Sequence, residues 1–144
     1  CTFGGGLDLA EKKGDKYTFK HFFTDNYNQR QTRTLCEDKN GWLWLGTSNG
    51  VYVFHPDSLM ADPKAYYHYN YGKGELRSNE IKYIYSDSRG DIWIATSGAG
   101  FSVCIPNGDY STLQFNHYGI DDGLCNGVVQ SLAEDRQGNI WMAT

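Results

Sequence analysis

Proline is scarce and basic residues never cluster. The 144-residue chain holds 3 prolines, and its 13 lysines and arginines form no dense run against 17 acidic residues. With a net charge of −4, the chain lacks the concentrated basic footprint that displaces counterions, which excludes nucleic-acid binding. No stretch approaches the ~20 consecutive apolar residues of a membrane span, so no direct insertion of this segment into a bilayer is expected. No secretory signal is visible, and the chain opens at Cys1 instead of a methionine, which reads as a piece of something longer. The four cysteines, Cys1, Cys36, Cys104 and Cys125, show no CxxC and no regular spacing. That argues against a zinc site and against the disulfide framework of a small secreted domain, and leaves buried free thiols as the expectation.

What is present is a repeat. Asp38-Lys-Asn-Gly41-Trp-Leu-Trp44-Leu-Gly-Thr47 recurs as Asp87-Ser-Arg-Gly90-Asp-Ile-Trp93-Ile-Ala-Thr96 and as Asp135-Arg-Gln-Gly138-Asn-Ile-Trp141-Met-Ala-Thr144. The matching tryptophans stand about 49 and 48 residues apart, and Cys1-Thr2-Phe-Gly-Gly-Gly6-Leu reads as the end of a fourth copy. Aromatic residues make up 15% of the chain, which suits strands, where such side chains pack across a pleated surface. Short strands and glycine turns at this period predict an all-β fold: a β-propeller fragment of four-stranded antiparallel blades, about three blades' worth of strands. In the second full unit, Ile81–Ser86 reads as strand A, Asp91–Thr96 as B, Gly100–Ile105 as C and Thr112–Tyr118 as D. Asp-x-x-Gly forms the A–B hairpin, with Asp accepting backbone N–H bonds and Gly taking positive φ. Trp44, Trp93 and Trp141 are expected as recurrent buried wedges between blades, and Gly6, Gly50 and Gly100 as tight B–C turns.

The phasing divides the chain into residues 1–33, the C and D strands of one blade plus a connector; 34–80, a blade; 81–130, a second blade; and 131–144, the A and B strands of a further blade. Propellers close with about four to eight blades, so these strands make no ring. The orphan strand pairs leave open edges, which recruit partners. A homo-oligomer by edge completion is one expectation. Completion by remaining blades of the parent chain is the other.

No catalytic constellation is legible, and no cofactor is implied. Asp38, Asp87 and Asp135 recur identically at hairpins, as turn residues do, whereas catalytic groups stand at sites that break a repeat. His21, His68 and His117 also fall in register. Strand D is a blade's outermost strand, so these histidines diverge around the rim, too far apart for bonds of about 2 Å to one metal; a rim-packing role follows, and no metal site. His55, beside Pro56 in a C–D loop, reads as solvent-exposed. Strand alternation puts the D–A and B–C connections on one face. The D–A loops vary, as recognition loops on a repeated scaffold do. They carry Tyr27, Asn28, Arg30, Arg33, Tyr71, Arg77, Asn79, Asp122 and Asn126, whose aromatic, amide and guanidinium groups suit an oligosaccharide.

The repeat, with a Gly-aromatic strand after its Trp motif and Asp122-Gly-Leu-Cys-Asn126-Gly-Val as connector, resembles the two-component regulator propeller repeat. Its structural signature here is Asp38, Gly41 and Trp44; Asp87, Gly90 and Trp93; Asp135, Gly138 and Trp141. The resemblance implies a ligand-sensing, non-catalytic periplasmic segment of a hybrid two-component sensor, the parent being a membrane-anchored histidine kinase. Two alternatives stand beside it: a dimerisation scaffold of such a sensor, and a free-standing glycan-binding propeller.

Overall fold

A computed structural model describes all of residues 1–144. Its strands are β1 (Leu7–Lys13), β2 (Lys16–Phe22), β3 (Thr32–Glu37), β4 (Leu43–Thr47), β5 (Gly50–Phe54), β6 (Tyr67–Tyr69), β7 (Ile81–Ser86), β8 (Ile92–Thr96), β9 (Phe101–Cys104), β10 (Phe115–Tyr118), β11 (Ser131–Glu134) and β12 (Ile140–Ala143). They pair antiparallel in chain order as two four-stranded sheets, β3–β6 and β7–β10, flanked by the pairs β1–β2 and β11–β12. This is a propeller fragment whose units are the predicted A–B–C–D blades. β3 starts at Thr32, two residues ahead of the expected boundary.

Local differences have local causes. Strand D of the second full blade begins at Phe115, not Thr112, because the Asp109 carboxylate takes the Ser111 amide and the Ser111 and Thr112 hydroxyls into a turn. The C–D connection of the preceding blade holds a helix, α1 (Pro56–Ala61), and His55 is its N-cap, its Nδ1 accepting from the Asp57 amide at 3.3 Å. His55 is therefore half-buried against Trp42 (ring centroids 5.7 Å apart), not a free loop residue. Only Cys104 of the four thiols is buried; Cys1 and Cys125 are exposed, and all four are free. Burial, with help from Asp38 and Asp91, pushes the Cys104 thiol up to about 12.

The repeated Asp does two jobs. Asp38 Oδ1 accepts from the Asn40 and Trp42 amides at 2.9 and 3.0 Å, and Oδ2 from the Trp44 indole N–H at 3.0 Å. Asp87 does the same for Arg89, Asp91 and Trp93, and Asp135 for Gln137, Asn139 and Trp141. One carboxylate thus closes the A–B hairpin and fixes the indole of strand B. Asp38 carries a further bond from the next blade, since the Tyr110 hydroxyl donates to Oδ2 at 2.6 Å. Burial and that carboxylate push Tyr110 up to about 12.

Burial pushes the Asp87 carboxyl up, but the bonds from Trp93, Asp91 and Arg89 outweigh it and hold it below the usual carboxylate range. The Trp141 indole, then Asn139, hold Asp135 down to about 2. A depressed folded-state value contributes stability above the unfolded value of about 4, and that contribution is lost as pH falls through the folded value. The melting temperature of the chain is expected to fall as the pH drops below about 4, and Asp87→Asn to flatten that fall. An unchanged acid limb in Asp87→Asn would count against the hairpin carboxylates as its source.

The wedge tryptophans are graded, contrary to the expectation of three buried ones. Trp44 is 0% exposed, in a core with Val51, Val53 and, from the next blade, Ile81, Ile84, Ile92 and Ile94. Trp93 is partly buried against Val129 and Leu132, where only β11 and β12 follow it. Trp141 is 67% exposed. Burial tracks how much of the following blade is present.

Candidate functional site

The B–C turns and D–A connectors share one face, and backbone bonds tie them together. The Arg30 carbonyl accepts from the Gly4 and Gly6 amides, the Asn79 carbonyl from Gly50, and the Gly127 carbonyl from Gly98 and Gly100 at 3.0 and 2.7 Å. These acceptors fall at the spacing of the tryptophans, so connectors that look irregular in sequence have a repeated anchor point.

That anchoring sorts the nine candidate residues. Tyr27, Asn28 and Arg30 lie on a single helical turn in the first connector, Tyr27–Arg30, capped by Asn26, whose side chain accepts from the Gln29 amide at 2.9 Å. Arg33 sits at a bulge, since the pairing of β3 with β4 skips from Thr32 to Thr34. Its guanidinium is occupied within the fold by the Ser48 hydroxyl at 3.1 Å and Glu80 Oε2 at 3.0 Å, and lies over the Phe3 ring. Asn79 Oδ1 accepts from the Tyr71 amide, Asn126 Oδ1 from Val128, and Asp122 Oδ2 from Gly119, each at 2.8 Å. These three side chains shape their own loops.

Tyr71 and Arg77 come together. They line an open depression of about 500 Å³ whose floor is the B–C turn Gly98–Gly100 and whose far wall is Gly119, Ile120, Asp121 and Gly127. Tyr71 is 62% exposed and Ile120 63%. The glycine floor presents backbone in place of side chains, so a ligand can approach closely. Two exposed apolar faces, one guanidinium and the Asp121 carboxylate make a site that can stack on a ring and hydrogen-bond its substituents. Sequence reasoning missed Ile120 and Asp121; their signal is the short 3-10 turn over Ile120–Asp122, which the other connectors do not carry.

The three histidines are each held by their own blade. His21 Nδ1 meets Asp8 Oδ1 at 2.5 Å, His68 Nε2 the Asn49 carbonyl at 2.6 Å, and His117 Nδ1 the Ser102 hydroxyl at 2.7 Å. His68 also stacks on Tyr52 with centroids 4.1 Å apart. Burial lowers the imidazole pKa of both His68 and His117, and nearby Arg77 lowers that of His117 further.

The model of the two component regulator propeller family matches residues 26–49, 75–98 and 123–144. Among solved structures, the chain is similar to the extracellular domain assigned to the hybrid two component system BT3049 of B. thetaiotaomicron. The identity is 27% and the TM-score 0.75, over 91% of this chain and 17% of that one. It is also similar to the extracellular domain assigned to the one component system BT4673 of the same organism, at 32% identity and a TM-score of 0.64, over 79% of this chain and 15% of that one. A further likeness, to PorZ, a surface component of the type-IX secretion system of Porphyromonas gingivalis, bears on the fold alone. It has 16% identity and a TM-score of 0.56 over 77% of this chain and 16% of that one. No curated protein matches the chain. The chain spans less than a fifth of the length of these structural relatives.

Proposed function

Because the chain belongs to the two component regulator propeller family, we propose that it is a sensing segment of a periplasmic propeller, performing no catalysis itself and contributing to an oligosaccharide-binding face. Similarity to extracellular domains supports an extracytoplasmic setting. The observation that carries the ligand reading is the depression on the D–A face, where Tyr71, Arg77, Ile120 and Asp121 converge over a glycine floor. An aromatic platform beside a forked donor and a carboxylate matches the alternating apolar faces and hydroxyl edges of a sugar. In the parent sensor, occupancy of this face shifts how two propeller-bearing protomers sit together, and the membrane helices transmit the shift.

The test is calorimetry of the chain against a panel of oligosaccharides. Arg77→Ala and Tyr71→Ala are each expected to weaken binding about 10-fold or more, since each removes a partner of the ring. Arg33→Ala is the control, its guanidinium being engaged by Ser48 and Glu80. Affinity unchanged in both variants overturns the assignment.

A further inference from the structure

The hairpin residue after the repeated glycine is Asp91 in one blade and Asn139 in the next, but Trp42 in the blade of β3–β6. Trp42 therefore breaks the repeat. It is half-buried, with its ring stacked on Tyr110 of the next blade at 4.0 Å and 5° between planes. Its indole N–H has no acceptor within the chain, whereas those of Trp44, Trp93 and Trp141 are each bonded to the hairpin Asp. The Tyr67 ring runs within 20° of the Trp42 plane at 6.2 Å and is 41% exposed, so the two rings form one aromatic wall.

That wall bounds a groove of about 220 Å³, whose other lining residues are His55, Ser58, Lys64, Ala65 and Tyr66. The A–B hairpin and the C–D connection build it, so it stands on the face opposite the depression described above. Its polar groups are donors in search of an acceptor. The Lys64 ammonium and the Ser58 hydroxyl make no bond in the structure, and His55 Nδ1 already accepts from the Asp57 amide, which leaves Nε2–H as the donor of the neutral ring. Two carboxylates stand beside the groove and neither is bonded to these donors: Asp57, 3.9 Å from His55 Nδ1 with its side chain 95% exposed, and Asp62, whose Oδ1 accepts from the Lys64 backbone amide at 3.0 Å.

The geometry points to a second binding site here, for a carboxylate carried on a six-membered ring. The ring lies against Trp42 and Tyr67, and the carboxylate receives the Lys64 ammonium together with the Trp42 or His55 N–H. The site is independent of the sugar-binding reading of the other face. An acid of this kind has two sources, a hexuronic acid or an aromatic acid. Sodium glucuronate and sodium benzoate distinguish them, with glucose as the neutral reference.

The experiment titrates each compound into the full chain by calorimetry and follows the Trp42 indole N–H resonance, assigned with Trp42→Phe. Saturable binding of one of the two acids is expected, moving that resonance. Lys64→Ala, at an exposed position, and Tyr67→Ala are each expected to weaken binding about 10-fold or more, with Arg136→Ala, a cation removed from the exposed hairpin between β11 and β12, without effect. No saturation by either acid up to about 10 mM overturns the proposal, as does binding unchanged in either variant, or glucose bound as tightly as the acids.

Discussion

Trp44→Ala is expected to destabilise the chain by about 3–5 kcal/mol, while Trp141→Ala, at the same position of the repeat, changes stability by no more than about 0.5 kcal/mol. The difference follows from what each indole touches. Trp44 is wholly enclosed between two complete blades, and deleting it opens a cavity lined by Val51, Ile81, Ile84 and Ile92, which strands fixed on both sides cannot refill. It also removes the donor that satisfies one bond of the buried Asp38 carboxylate, although Tyr110 still reaches that oxygen. Trp141 keeps its bond to Asp135 but packs against no following blade. Trp93, half covered by β11 and β12, falls between the two. Urea midpoints of the three single variants rank them directly. Three equal losses would show that the hairpin bond, not the neighbouring blade, sets the energetic weight of the motif.

That ranking also marks how far the sequence could be read. The period, the four strands per unit and the A–B hairpin were legible because each is local: alternation gives strand faces, and Asp-x-x-Gly gives the turn. Burial of the tryptophans was not, since it depends on the blade that follows and not on the motif. The second role of the repeated Asp, holding the indole six residues on, has a sequence signal in the constant Asp-to-Trp spacing. The Tyr110 bond to Asp38 has none, because it joins residues 72 positions apart across two blades. The helix Pro56–Ala61 is too short to show a period, although His55-Pro56 is a recognisable start with proline in the first turn.

The candidate site was legible as a face and not as a set of residues. Strand alternation put the D–A connections beside the B–C turns, where backbone bonds join them, and loop variability singled them out as candidates for recognition. It could not separate side chains that point at solvent from those that build the loop. Asn79, Asn126 and Asp122 are spent on backbone amides of their own connectors, as short polar residues in turns commonly are. Arg33 is drawn into the fold by a bulge that no single-sequence pattern announces. Tyr71 and Arg77 are left to line the depression.

Gly100→Ala is the second large effect expected, and its size separates two costs that usually travel together. Gly100 has φ +75°, and a Cβ there would stand 2.1 Å from the Tyr118 carbonyl oxygen and 2.9 Å from the Gly119 Cα. Gly50 repeats the situation one blade earlier, 2.2 Å from the Tyr69 carbonyl oxygen. In both, the B–C turn tucks under the end of strand D, and the Thr96 or Thr47 hydroxyl donates to the carbonyl of that glycine, at 2.7 and 3.0 Å. The obstructing atoms are backbone, so no rotamer change relieves the contact; the outer strand must move. Gly108 is the control, with φ +93° and nothing within 4 Å of its would-be Cβ. Gly108→Ala bears only the left-handed backbone penalty of about 1–2 kcal/mol. Gly100→Ala adds displacement of β10, for a total of at least about 3–4 kcal/mol. Because Gly98–Gly100 is also the floor of the depression, the same substitution is expected to weaken any ligand held by Tyr71 and Arg77 even where the chain still folds. Equal losses of stability in Gly100→Ala and Gly108→Ala would mean that the turn stands clear of strand D in solution, and that the glycine floor is not held in place by the blade.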